Sequence, residues 1–128
     1  MRVIIMEVEQ EDNRAIVSVQ TDIGDMKGIW TNNVIPDKGD VCHIELDFND
    51  YSQSITRLYN SAPAKVTIWE DETCFVGYCE DMDEDIYYIR FASDWLEMIE
   101  IPENETKIEK GDFVTFSVKN KDIRMYPY

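Results

Sequence analysis

The sequence predicts an all-β chain built as two tandem, small barrel-like halves packed together, with little helix. Three observations carry this reading. Apolar residues alternate with polar ones in short runs, which is the period of a half-buried strand. No segment sustains a 3.6-residue period over a dozen residues. And one turn-and-strand is written twice, as KGDVCHIELDF from Lys38 to Phe48 and as KGDFVTFSVKN from Lys110 to Asn120.

The elements follow in order. Met1 to Glu11 opens as a strand, because Glu7 and Glu9 interrupt its apolar run and no small-residue cleavage site follows. Arg14–Val19 is short and β-branched, and Phe75–Cys79 takes the equivalent place in the second half. After Gly39-Asp40, the apolar residues Cys42, Ile44, Leu46 and Phe48 alternate with His43, Glu45 and Asp47. After Gly111-Asp112, Val114, Phe116 and Val118 keep the same parity. A slip of one residue would reverse the faces, so shared parity is informative. Ile86–Phe91 is rich in aromatic and β-branched residues. Ser93–Met98 is either a single helical turn capped by Ser93 or Asp94, or a further strand. Asp12-Asn13, Ile23-Gly24-Asp25 and Asn49-Asp50 read as turns, and Asn120-Lys121 as a tight hairpin connection.

Further matches fall in the same order in both halves. Val3–Glu7 pairs with Val66–Glu70, Trp30 with Trp95, Lys38-Gly39-Asp40 with Lys110-Gly111-Asp112, and Arg57-Leu58-Tyr59 with Arg124-Met125-Tyr126. The drifting offset is what loop insertions produce, one of them Glu103 to Lys110. Asn60-Ser61-Ala62-Pro63 supplies a boundary, giving modules 1–60 and 64–128 joined by 61–63. Five short strands per module, with a Gly-Asp turn before the fourth, resemble small OB-fold barrels, and KGDFVTFSV is similar to the end of cold-shock-like domains. The likeness extends to SH3-like barrels and implies an architecture rather than a ligand. The aromatic nucleic-acid motifs of the cold-shock family have no match here. A barrel of about 60 residues is marginal alone, so the halves are expected to pack together.

Several chemistries are disfavoured. His43 is the single histidine, and its neighbour Cys42 points to the opposite strand face. Cys74 and Cys79, five apart, also take opposite faces, and no CxxC knuckle offers a zinc site. Three cysteines without a secretory signal point to a reducing compartment, hence the cytoplasm. Asp81-Met82-Asp83-Glu84-Asp85 opens like a calcium loop, but Ile86 and Ala92 stand where an EF-hand needs Gly and Glu. Weak divalent binding at 81–85 stays open. There is no phosphate loop and no Gly-x-Ser-x-Gly elbow, so no enzyme, cofactor or metal is expected.

Charge is the distinctive property. Twelve bases and 27 acids give a net −15. From Glu70 to Glu105, 13 acids face one base, Arg90. That excess opposes binding to a phosphate backbone and speeds encounter with a basic protein. The expected partner is therefore a basic protein, not nucleic acid and not a membrane. The expected contact surface is Asp81, Asp83, Glu84, Asp85, Tyr87, Asp94, Trp95, Glu97 and Glu100, with Tyr87 turned outward as an anchor. In size, charge and lack of catalytic apparatus the chain resembles acidic immunity proteins that neutralise nuclease-like toxins. The alternatives are an OB-like single-strand binder using Lys107, Lys110, Lys119, Lys121 and Arg124 around Phe113, Tyr126 and Tyr128, or a non-catalytic assembly subunit.

Overall fold

A computed structural model describes residues 1–48, 55–102 and 107–128. The strands are β1 (Arg2–Glu11), β2 (Arg14–Thr21), β3 (Gly24–Trp30), β4 (Val41–Phe48), β5 (Thr56–Arg57), β6 (Lys65–Trp69), β7 (Glu72–Asp83), β8 (Ile86–Ala92), β9 (Trp95–Glu100), β10 (Phe113–Lys119) and β11 (Ile123–Pro127). The one helical element among the described residues is a 3₁₀ turn at Asn120–Asp122. The chain is all-β, as its alternation predicts. Ser93-Asp94 is a turn, and the ambiguous segment after it is β9.

The chain divides into two compact units that do not follow the expected 61–63 boundary. Unit 1 comprises Met1–Tyr51, Val66–Thr73 and Val118–Tyr128; unit 2 comprises Ser52–Lys65 and Cys74–Ser117. In unit 1, β1 pairs antiparallel with β2 and β4, β2 with β3, and β4 with β11. A parallel pairing of β11 with β3, Arg124 opposite Ile29 and Met125 opposite Trp30, closes five strands into a barrel. This ring order fits the Greek-key barrels of the OB type. The barrel interior takes alternate residues of each strand: Val3 and Ile5, Ala15, Val17 and Val19, Met26, Ile44, Ile123 and Met125. Also within unit 1, β6 touches β3 through Val66 opposite Gly24.

Unit 2 repeats the strand order. β9 pairs with β8, β8 with β7, β7 with β10, and β10 with β5. Its core is aromatic. Phe75 is fully buried, stacked on Phe116 at 5.1 Å and lying 5.7 Å from Phe91 and 6.4 Å from Trp95.

The twice-written turn has one hydrogen-bond pattern in both units. Asp40 Oδ2 accepts from Asp37 N at 2.8 Å, and Asp112 Oδ2 accepts from Glu109 N at 2.8 Å. Gly39 N donates to Ile5 O and Gly111 N to Cys79 O, each at 2.8 Å, while Ile5 N and Cys79 N donate back to Asp40 O and Asp112 O. Both glycines have positive φ, 93° and 98°, where a Cβ would be strained. The sequence therefore repeats Gly-Asp because glycine supplies the turn conformation and the carboxylate ties the turn's own backbone.

This pattern corrects three of the sequence matches. Ile5 corresponds to Cys79, so β1 corresponds to β7: Val66–Glu70 belongs to β6 and its turn, and Phe75–Cys79 is the counterpart of β1 and not of Arg14–Val19 in β2. The bulges agree: the ladder slips between Ile5 and Glu7 in β1, and between Cys79 and Asp81 in β7. Trp30 ends β3 whereas Trp95 begins β9, so the two tryptophans are not equivalent. Asn120-Lys121 is not a hairpin, because β10 pairs within unit 2 and β11 within unit 1. The Arg57 and Arg124 strands do serve alike, each pairing with a strand that follows a Gly-Asp turn. But β5 pairs with β10 and β11 with β4, so each unit takes its last strand from the other half of the sequence. The Asn49-Asp50 turn and residues 103–106 of the expected insertion lie outside the described residues.

Candidate functional site: the outer face of β7, β8 and β9

Unit 2 carries the acidic segment, and ladder register sorts its side chains. Cys79 lies opposite Ile89, and Met82 opposite Tyr87; Tyr87 in turn lies opposite Ile99. These pairs share the core face, with Cys79, Tyr87, Ile89 and Ile99 all buried. The pairs of opposite parity form the outer face. Tyr78, Arg90 and Leu96 make one row; Asp81, Tyr88 and Met98 the next; Asp83, Ile86 and Glu100 the third.

That outer face is partly apolar. Met98 is 65% exposed, Tyr78 39% and Leu96 38%, and Tyr88 is half-buried. Tyr78 is braced edge-on against Phe113, their centroids 5.3 Å apart. The one cation of the face is already occupied. Arg90 donates from Nη2 to Glu80 Oε2 at 3.0 Å and from Nε to Glu80 Oε1 at 3.3 Å, and its Nη1 donates to the carbonyls of Ala92 and Ser93. A forked, bidentate pair holds the guanidinium in one orientation. The bulge that ejects Glu80 from the ladder places its carboxylate for this contact.

The expected contact residues divide accordingly. Asp81, Asp83 and Glu100 lie on the outer face, and Glu84 and Asp85 form the β7–β8 turn, where Glu84 has φ 54°. Asp94 is exposed in the β8–β9 turn. Tyr87 and Trp95 do not serve as surface anchors. They are 6% and 4% exposed and belong to the core. Glu97 lies opposite Ile89 on the core-facing side of β9, and its Oε1 accepts the indole N–H of Trp95 at 2.9 Å. The apolar residues on the outer face are instead Tyr88 and Met98, with Leu96 and Tyr78 beside them. One of these was findable: Arg90 must face solvent between Ile89 and Phe91, and Tyr88 shares its parity. β9 offered no such signal, because Trp95, Glu97 and Ile99 on one face look like Leu96, Met98 and Glu100 on the other.

A groove of about 410 Å³ in unit 1 is a different kind of surface. Arg14, Lys27, Lys119 and Lys121 line it with Glu9, Glu11, Glu70 and Asp71, and Lys27 Nζ lies 3.8 Å from Glu9 Oε2. Among the described lining residues, equal numbers of cations and carboxylates, with no aromatic residue, do not make the positive stacking channel that a single strand requires. The basic and aromatic residues expected to cluster near the C-terminus are also divided between the units. Lys119, Lys121 and Arg124 belong to unit 1, and Lys107, Lys110 and Phe113 to unit 2.

The thiols respond to their surroundings. Burial first, then the carboxylates of Asp112 and Asp81, push the Cys79 thiol up to about 11 from 9.0. Burial, and then Asp40, raise Cys42. Neither is a reactive thiolate near neutral pH. Among the described residues no cluster of three or more His, Cys, Asp or Glu is arranged to hold a metal ion, and no helix is long and apolar enough to cross a membrane. No protein-family model, curated protein or solved structure matches this chain.

Proposed function

We propose that the chain is an acidic protein-binding inhibitor, an immunity-type protein that neutralises a basic, nucleic-acid-processing partner by presenting carboxylates where phosphates would lie. The observation that carries this reading is the outer face of unit 2. Exposed Met98 lies opposite Tyr88, with Leu96 and Tyr78 beside them, and carboxylates rim the group while its one arginine is tied to Glu80. An aromatic and methionine centre inside a charged rim is the anatomy of a protein contact: the centre is desolvated and sets the off-rate, and the rim steers approach. Methionine adds a flexible apolar surface that adapts to its partner.

The test is affinity capture with the wild-type chain and with the double variant Tyr88→Ala, Met98→Ala. A basic protein should be retained by the first and lost from the second. Its nucleic-acid-processing activity should then fall on adding one equivalent of wild-type chain. A retained protein whose activity the chain leaves unchanged would overturn inhibition, and equal retention by both would overturn this face.

A further inference from the structure

We infer that the partner element seated on this face is a basic amphipathic helix rather than an extended strand. The inference rests on the protein-binding reading above and specifies what docks. The backbone of β8 is committed on both sides, to β7 and to β9. A segment lying across Tyr88 therefore meets side chains and no free ladder groups. Its own N–H and C=O groups must be paired internally, which a helix does and an isolated extended segment does not.

The dimensions and charges agree with a helix. From Leu96 to Glu100 the strand covers about 13 Å, the length of about nine helical residues. The apolar positions form one diagonal stripe: Ile86 and Tyr88 on β8, then Met98, opposite Tyr88, and Leu96, opposite Arg90, on β9. A helix with apolar residues at positions i, i+4 and i+7 covers such a stripe. Carboxylates border the stripe on several sides: Asp81 and Asp83 along β7, Glu84 and Asp85 at one turn, Asp94 at the other, and Glu100 at the end of β9. Arg90 is engaged by Glu80 and neutralises none of these. The docking helix must then carry Lys or Arg on both flanks of its apolar stripe. Helices that track phosphate backbones have that composition, which links the face to a nucleic-acid-handling partner.

The experiment uses the full chain, isotope-labelled for NMR, and a synthetic peptide of about 15 residues with leucines at i, i+4, i+7 and i+11 and lysines on both flanks. A second peptide of the same charge has two central prolines that break the helix. The helical peptide should bind at least tenfold more tightly, with amide shifts centred on Tyr88, Leu96 and Met98. Tyr88→Ala with Met98→Ala should abolish that preference while leaving the amide spectrum of the fold intact. Equal binding of the two peptides would overturn the helical inference, as would shifts centred elsewhere. The two levels separate with the captured basic partner. If it perturbs this face while the peptides bind alike, protein binding stands and the helix falls. If neither partner nor peptide perturbs the face, both fall.

Discussion

Replacing Phe75 by alanine tests whether unit 2 is held by one aromatic core. Phe75 is fully buried, and among the described residues three rings lie against it: Phe116 stacked at 5.1 Å, Phe91 at 5.7 Å and Trp95 edge-on at 6.4 Å. Truncation removes the ring's transfer free energy and leaves a cavity whose walls are rigid aromatics on separate strands, β8, β9 and β10. Such a site collapses poorly, so the loss should fall at the upper part of the usual range, about 4–5 kcal/mol. That is a large fraction of the roughly 5–15 kcal/mol stability of an ordinary domain. Phe75→Leu refills most of the volume without the ring geometry and should recover about half of the loss. Urea unfolding gives the free energies, and hydrogen exchange locates them. Amides of β8 and β9 should lose protection in Phe75→Ala, while those of β1 and β2 should keep more of theirs. A loss below about 1.5 kcal/mol, or equal loss of protection in both units, would refute the argument.

Three further outcomes follow from the same geometry. Asp40→Ala and Asp112→Ala each remove a carboxylate that ties its own turn, and each should lower stability by about 0.5–2 kcal/mol in thermal or urea unfolding, with Asp→Asn milder. Stability should fall at alkaline pH: Cys79 titrates near 11 in the fold against 9.0 when unfolded, so its contribution, on the order of 2–3 kcal/mol, is complete below about pH 9 and lost as pH rises through 11. Burial first and then Asp85 raise Tyr87 from 10.0 in the same sense, so Cys79→Val should flatten only part of the slope measured by urea unfolding between pH 8 and 11. The net charge of −15 should make the melting temperature rise between about 0.01 and 0.15 M salt, as the screening length shortens from about 30 to 8 Å; an unchanged melting temperature would mean that self-repulsion is negligible.

The sequence by itself determined the fold class and the faces of most strands. Alternation is a local property of the backbone, so the parity after Gly39-Asp40 and Gly111-Asp112 was legible; the parity that Tyr88 shares with Arg90 was there to be read too, and the choice of Tyr87 as the outward residue goes against it. Positive φ at the two glycines is likewise local, which is why the turn is written the same way twice. Local signals end where strands choose partners. Nothing in Thr56-Arg57 or in Ile123–Pro127 distinguishes a barrel that keeps its last strand from one that receives it from the other half of the chain, because the ladder joins backbone N–H and C=O groups that carry no sequence label. Only the tertiary structure decided that exchange. It also decided that Trp95 faces the aromatic core, since in β9 both faces carry two apolar residues and a glutamate, and the choice rests on which of them fits around Phe75.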